Sequence, residues 1–321
     1  MANAPRLRVA LYGRNGHQLT HLLREPHPLV EIVALCEVEL PEGARVTPPV
    51  LPSLDALLAE NSIEMISLCS PWRSQQAADS IRCLEAGKHV LAEKPAALSE
   101  SSLDEILRTA ERTGKSFREM GGTVFQKPFL AMREIVRRGD LGEIVQVFAQ
   151  KSYPYYPGRA QDEALDGGLF LQNGVHAARF IEHVSGQRIV SLSRIETELG
   201  NPGEGHLRMA SAFQGILENG GCASAIANYL NPPGLGSWGN ESLRVFGTKG
   251  MAEATDAGKR SRLVIGDRDL GPIDPGPEPL PYFTQYIQGL LGVGEMPLTL
   301  EEELHPLRAL LRAKPSFPEV N

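Results

Sequence analysis

The sequence predicts an α/β protein in two parts: a doubly wound parallel sheet, then an α+β domain on a large, mainly antiparallel, open-faced sheet. Two patterns predict it. Over the first third, short apolar runs alternate with stretches of helical periodicity, as in strands wound through crossover helices. Beyond about residue 120, apolar residues recur at even spacing between hairpin turn signals, as in antiparallel strands. A chain of 321 residues suits two domains, since a domain takes roughly 150. They are placed at 1–120 and 121–321, with the C-terminal helices free to pack back on the first.

The elements follow in order. Val9–Tyr12 is a strand ended by Gly13-Arg14-Asn15-Gly16, and a helix with Leu19, Leu22 and Leu23 on one face stops at Pro26. Ile32–Cys36 is a fully apolar strand closed by Glu37. Leu54, Leu57 and Leu58 mark a helix opening at Ser53, a favoured N-cap type. Met65–Leu68 is a buried strand that Ser70-Pro71 turns outward; Ala78, Ile81 and Leu84 stripe the next helix, which ends at Gly87. His89–Ala92 runs directly into Glu93-Lys94-Pro95, and Leu103, Ile106, Leu107 and Ala110 give an amphipathic helix ending at Gly114. In the second part, residues 129–138 read as a helix and 144–149 as a strand. Leu207, Met209 and Phe213 alternate, Asn219-Gly220 signals a hairpin, and Leu243 and Val245 precede the turn Gly247-Thr248-Lys249-Gly250. Residues 266–281, rich in proline and glycine, read as a loop, and 282–291 and 301–312 as helices.

Composition excludes several function classes. With 32 basic and 39 acidic residues the net charge is −7, the wrong sign for wrapping nucleic acid or lying on anionic lipid. No apolar run reaches the length of a bilayer span. Met1–Leu11 lacks the apolar core and cleavage site of a secretory signal, so the expectation is a cytoplasmic protein. Cys36, Cys69, Cys83 and Cys222 are scattered without a C-x-x-C pair and are expected to be buried thiols in a reducing compartment. His17 and His21 lie one helical turn apart, but no carboxylate spacing completes a metal site, so no metal is expected.

The turn Gly13-Arg14-Asn15-Gly16-His17-Gln18 keeps the first glycine of G-x-G-x-x-G; Asn15 and Gln18 replace the other two, with Gly16 between them. Glycines there let backbone amides approach a pyrophosphate at a helix start, and asparagine tolerates left-handed backbone angles. Glu37 follows the second strand about twenty residues on, where an acid receives the ribose hydroxyls of NAD. Each feature alone also reads as an ordinary turn or an exposed loop acid; together they favour a dinucleotide. Arg14 is the candidate partner of a 2′-phosphate, which keeps NADP as the alternative. Glu37 would repel that phosphate, so NAD is the expectation.

Three blocks carry a resemblance. Ala86-Gly87-Lys88-His89-Val90-Leu91-Ala92-Glu93-Lys94-Pro95 contains a Glu-Lys-Pro signature. Gly167-Gly168-Leu169-Phe170-Leu171-Gln172-Asn173-Gly174-Val175-His176 is a glycine-rich approach to a helix bearing a histidine. Arg244-Val245-Phe246-Gly247-Thr248-Lys249-Gly250 is a sheet turn. In this order, from about Leu7 to about Val264, the chain resembles the Gfo/Idh/MocA family of NAD(P)-dependent oxidoreductases. The resemblance implies an N-terminal Rossmann domain that binds cofactor through Gly13, Arg14, Asn15, Gly16, Glu37, Ser70, Pro71, Trp72, Glu93 and Lys94. It also implies an active site between the domains, with Lys94, often followed by a cis prolyl bond, and His176 as catalytic residues. Hydride transfer at carbon must be matched by proton transfer at the attached oxygen, which lysine polarises and histidine can serve as proton carrier.

The chain departs from the family at several points. Gln172 stands where an aspartate is usual, so it can orient the His176 ring without adding charge, the two sharing a helix face. Ser70-Pro71-Trp72 replaces Thr-Pro-Asn, Gln75 stands where histidine is common, and an arginine often found near Phe125 is missing. Gln172, Asn173 and His176, with Tyr153, Tyr156 and Arg159, are the substrate candidates. The segment Tyr153–Arg159 reads equally as a rim for a sugar ring or anion and as an aromatic loop stiffened by prolines. The activity implied is a dehydrogenase or reductase acting on the secondary alcohol or ketone of a sugar, cyclitol or related polyol. Its rivals are an NAD-using lyase or epimerase and a catalytically idle ligand sensor. A small-molecule substrate is expected, and a homodimer or homotetramer through the open sheet face.

Overall fold

The computed structural model describes residues 6–315; Met1–Pro5, part of the segment read above for a secretory signal, and the last six residues lie outside it. The chain forms two compact units. The first takes the residues up to Gly121 and Tyr282–Glu301. Its five strands are β1 (Leu7–Tyr12), β2 (Val30–Cys36), β3 (Met65–Leu68), β4 (His89–Ala92) and β5 (Phe117–Glu119), all parallel in the order β2-β1-β3-β4-β5. Connections are α1 (Leu54–Ala59), capped by the Ser53 hydroxyl, α2 (Gln76–Glu85) and α3 (Glu100–Thr113), capped by Ser99 and closed by left-handed Gly114. Helix α8 (Tyr282–Leu290) inserts Tyr286 and Ile287 into the same core as Val9, Leu11, Leu23 and Leu35.

The α-helix expected after the glycine turn is instead a 3₁₀ turn, Leu19–Leu23. Its apolar face is as expected, since Leu19, Leu22 and Leu23 are buried. With Gln18 holding the chain on one side and Pro26 and Pro28 on the other, the segment is too short to complete α-helical turns.

The second unit takes Gly122–Pro281 and the residues from Glu302. Among the described residues its sheet has nine strands: β6 (Ile144–Ser152), β7 (Ile189–Thr197), β8 (Ala210–Leu217), β9 (Cys222–Asn228), β10 (Ser242–Gly247), β11 (Gly250–Thr255), β12 (Arg260–Ile265), β13 (Arg268–Gly271) and β14 (Lys314–Pro315). The order is β13-β12-β11-β10-β6-β9-β8-β7-β14, antiparallel except for β6–β9 and β7–β14. Strand β13 lies inside the stretch read as a loop: four residues ending on Gly271, too short for an alternation to register. The Asn219-Gly220 hairpin joins β8 to β9 as its turn residues predict, with Gly220 at φ +85°.

Helices α4 (Phe129–Arg137), α6 (Gly168–Gln172) and α7 (Gly174–Arg179) cover one face of this sheet. There Val147, Ala149, Phe213, Ala225 and Val245 are buried. A one-turn α5 (Glu163–Asp166) precedes α6, and α7 continues as a π-helical turn, Phe180–Val184. Buried Glu182 of that turn meets His305 of α9 (Leu300–Leu311) at 2.9 Å, tying the two helices together. The register puts Ile195, Ala212, Ile216, Cys222 and Ile226 on the opposite face. Cys222 is therefore exposed, against the expectation for its thiol, because it opens a strand in the outward phase; Cys36, Cys69 and Cys83 are buried. No helix among the described residues is long and apolar enough to cross a membrane.

Where β1 ends, the chain crosses the end of β3. Gly13 has φ +73°, and a Cβ there would collide with the Cys69 carbonyl. Gly13→Ala therefore combines a left-handed backbone with a clash against fixed main chain. It should cost roughly 2–4 kcal/mol, read as a lower midpoint in urea. A neutral result would mean that the turn is not seated on β3.

Candidate functional site

The turn after β1 is held from below. Asn15 donates from Nδ2 to the Pro71 carbonyl at 3.1 Å. Gln18, which replaces a glycine of the motif, acts as a strut. Its Nε2 donates to the carbonyls of Tyr12, Gly13 and Ser67 at 3.0–3.1 Å, and its Oε1 accepts from Leu19 N and the Ser67 hydroxyl. Gly16 has φ +125°, and a Cβ there would lie 2.5 Å from Glu93 Cγ. Both glycines thus leave room for neighbouring strand ends. Among the described residues no acceptor meets the amides of Arg14 and Asn15. A turn with unengaged donors at the carboxyl edge of a parallel sheet fits the pyrophosphate of a dinucleotide.

Glu93 follows β4 and is 1% exposed. Its Oε2 accepts the His17 amide at 2.5 Å and lies 3.1 Å from His17 Nδ1, while Oε1 accepts the Lys94 amide at 3.0 Å. Burial alone would raise its pKa, but the His17 hydrogen bond and the charges of Lys94 and Arg73 prevail and bring it to about 2. Lys94 is also buried, and the Lys94–Pro95 peptide is cis. Gln76, at the start of α2, donates to the carbonyls of Glu93 and Pro95 and accepts from Arg73. Arg73, only 2% exposed, donates to the Asn15 carbonyl at 2.5 Å. Ser70 is buried and donates to Asp79 at 2.8 Å, Pro71 carries the carbonyl that Asn15 uses, and Trp72 stands half exposed.

At the other end of the turn, Glu37 is exposed and left-handed, φ +54°, directly after β2. Arg14, the candidate 2′-phosphate ligand, is paired with Glu39 in an exposed ion pair. Tyr12 is pushed up to about 12 by burial and by the charges of Asp79 and Glu37.

In the second unit, Gly167 and Gly168 are both left-handed, and a Cβ on Gly168 would collide with the Glu163 side chain. The helix expected to carry both Gln172 and His176 is broken at Asn173, so Gln172 closes α6 and His176 lies in α7. Gln172 donates to the Asp166 carbonyl at 2.7 Å, and Asn173 donates to the Asn228 carbonyl at 3.1 Å. The His176 ring is buried and edge-on to Tyr153, centroids 6.2 Å apart. The Arg159 guanidinium lies over the rings of Tyr229, at 3.5 Å, and Tyr156, at 4.5 Å.

Several residues here escaped sequence reading. Lys151 is buried, ion-paired with Glu241, and has its ammonium 4.9 Å from the Tyr153 ring. The signal existed: Lys151 continues the inward phase of Val147 and Ala149 in β6. Arg73, Gln76, Glu39 and Trp238 sit in turns and loops or at a helix start, with no periodicity to mark them.

Glu93 titrates well below its ordinary 4.5 in the fold, at about 2. Its stabilisation is therefore complete above pH 4.5 and is lost as pH falls toward 2. Glu93→Gln should cost on the order of 3 kcal/mol at pH 7, with the gap to the unmodified protein shrinking across that window. Denaturant melts at several pH values check this, and a pH-independent gap refutes the charged role.

Comparisons with known proteins match this geometry to a family. Residues 7–119 match a model described as an oxidoreductase family with an NAD-binding Rossmann fold, and residues 129–253 match the GFO/IDH/MocA C-terminal domain. A trans-1,2-dihydrobenzene-1,2-diol dehydrogenase of Bos taurus is 27% identical over 266 residues, 81% of this chain and 76% of its own. A solved chain from Thermotoga maritima superposes with TM-score 0.84 at 24% identity, covering 95% of this chain and 96% of its own. The WlbA dehydrogenase of Chromobacterium violaceum, solved with NADH and UDP-GlcNAcA, gives 0.80 at 19% identity over 97% and 95%. Both units of the fold are matched by the two component models of one family, and the chain belongs to the Gfo/Idh/MocA oxidoreductases.

Proposed function

We propose that this protein is an NAD-dependent dehydrogenase that interconverts a secondary alcohol and a ketone on a sugar, cyclitol or related cyclic diol. The observation that carries the reading is Glu93. One buried carboxylate holds both the turn suited to a pyrophosphate and the backbone of Lys94. When bound, a nicotinamide dinucleotide supplies a carbon that takes up or gives back hydride. The amides of Arg14 and Asn15 would hold its pyrophosphate, and Glu37 its ribose. The Lys94 ammonium polarises the substrate oxygen, and His176 takes or returns its proton. Gln172 holds Asp166 rather than adding charge beside His176. The likeness to a dihydrodiol dehydrogenase supports a ring carrying adjacent hydroxyls as substrate. The outer sheet face, with Ile195 and Ile216 half exposed, supports assembly of a homodimer or homotetramer through it.

Two carboxylates, Glu37 and Glu39, stand at the end of β2, and Arg14 is paired with one of them. A 2′-phosphate meets repulsion there, which is why NAD is the cofactor proposed. Calorimetric titration should give tighter binding of NADH than of NADPH, with Glu37→Ala narrowing the difference. Tighter NADPH binding overturns the assignment.

A dehydrogenase screen over sugars, cyclitols and cyclic diols with both cofactors tests the activity. On the substrate it finds, Lys94→Ala and His176→Ala should each lower kcat by about 10²–10⁴, with NADH affinity largely kept. Near-full turnover by either variant removes that residue from the mechanism. A protein that binds ring diols and turns none over is a sensor.

A further inference from the structure

Trp238 lies in the loop between β9 and β10 and is 55% exposed, yet its surroundings are those of a built site. Its ring centroid is 6.0 Å from that of Tyr153 and 6.1 Å from that of Tyr156, at interplanar angles of 38° and 37°. Tyr153 is the ring that also meets His176 edge-on. The loop backbone is fixed beneath the indole. Asn231, itself buried, donates to the carbonyls of Trp238, at 2.8 Å, and Ser152, at 3.0 Å. Asn240 N donates to the same Ser152 carbonyl, and the next residue, Glu241, forms the buried pair with Lys151. Below Tyr156, Arg159 is sandwiched against Tyr229. Three aromatic rings thus stand beside the buried Lys151–Glu241 pair as a ledge, and two of them, Trp238 and Tyr156, keep large exposed surfaces.

We infer that Trp238 and Tyr156 form a platform for the apolar face of a six-membered ring bearing adjacent hydroxyls, and that Trp238 selects ring substrates over open-chain ones. A saturated or partly saturated six-membered ring presents several C–H bonds on one face, polarised positive, which suit the negative face of an indole. The hydroxyls then project from the ring edge. Tyr153 is common to both contacts, 6.0 Å from Trp238 and 6.2 Å from His176, so the platform and the proton carrier share one neighbouring ring. The inference rests on the dehydrogenase reading for the role of His176, and the test separates the two.

The chain has two tryptophans, so the emission lost in Trp238→Phe is that of Trp238. With NAD present, trans-cyclohexane-1,2-diol and methyl β-D-glucopyranoside should quench its fluorescence saturably. Butane-2,3-diol, the open-chain control, should need roughly tenfold more. On a ring diol that is turned over, Trp238→Leu should raise KM about three- to tenfold, the size of a lost aromatic contact. Its kcat should stay within about twofold, and Trp238→Phe should restore KM. The platform is overturned if neither ring probe quenches, if the open-chain diol does so equally, or if Trp238→Leu leaves KM unmoved. It is also overturned if emission follows protein dilution instead of ring diol, which would assign Trp238 to a contact between copies. Saturable quenching by a ring probe with no turnover of any ring diol rejects the dehydrogenase reading and keeps the platform.

Discussion

The first unit depends on one buried anion. Glu93 has no solvent to stabilise its charge, so hydrogen-bond donors and cations must converge on it. The backbone donors that reach it are the amides of His17 and Lys94, which follow β1 and β4, the two strands that flank β3. Its carboxylate therefore fixes the turn after β1 and the segment after β4 in one stroke. Gly16 is glycine because Glu93 fills the space a side chain would need. Arg73 adds a buried positive charge and reaches the same turn through the Asn15 carbonyl. Were Glu93 neutral, the turn and the lysine would each lose their common reference point.

Buried charge serves a comparable end in the second unit. The Lys151–Glu241 pair is nearly solvent-free, and such a pair gains little stability over apolar packing because both ions are desolvated. What it supplies is position. Lys151 belongs to a strand and Glu241 to the end of a loop, so the pair pins an irregular segment to a regular one. Asn231 does the same with neutral hydrogen bonds. Loops that must present side chains accurately are anchored by polar groups, because hydrogen bonds and ion pairs have direction and apolar contacts have little.

Much of this was legible in the sequence, and the limits are physical. Strands such as Ile32–Cys36 and Met65–Leu68 declare themselves because a strand buried on both faces needs an unbroken apolar run. Ser53 and Asn219-Gly220 are legible because cap and turn chemistry is local. The 3₁₀ form of Leu19–Leu23 was not, since its apolar spacing also suits an α-helix and the deciding partner of Gln18, Ser67, lies far along the chain. Gln18 itself looked like a lost glycine, because a motif records which residue is absent and says nothing of what its replacement holds. Asn173 breaks the helix between Gln172 and His176 while its amide reaches the distant Asn228 carbonyl. Trp238 takes its meaning from Tyr153 and Asn231, which only the fold brings to it.

One feature of the chain path bears on how the protein is made. The first unit draws on residues up to Gly121 and again on Tyr282–Glu301, so the chain crosses between units three times. Tyr286 and Ile287 are fully part of the core that also holds Val9 and Leu11. During synthesis, which adds about 5–20 residues per second, the parallel sheet can emerge early but its core stays open until α8 leaves the ribosome. The second unit's sheet, apart from its last short edge strand, is by then already out. The first unit's core therefore closes only after α8 has been made, long after its five strands, and until then part of its apolar surface stays uncovered.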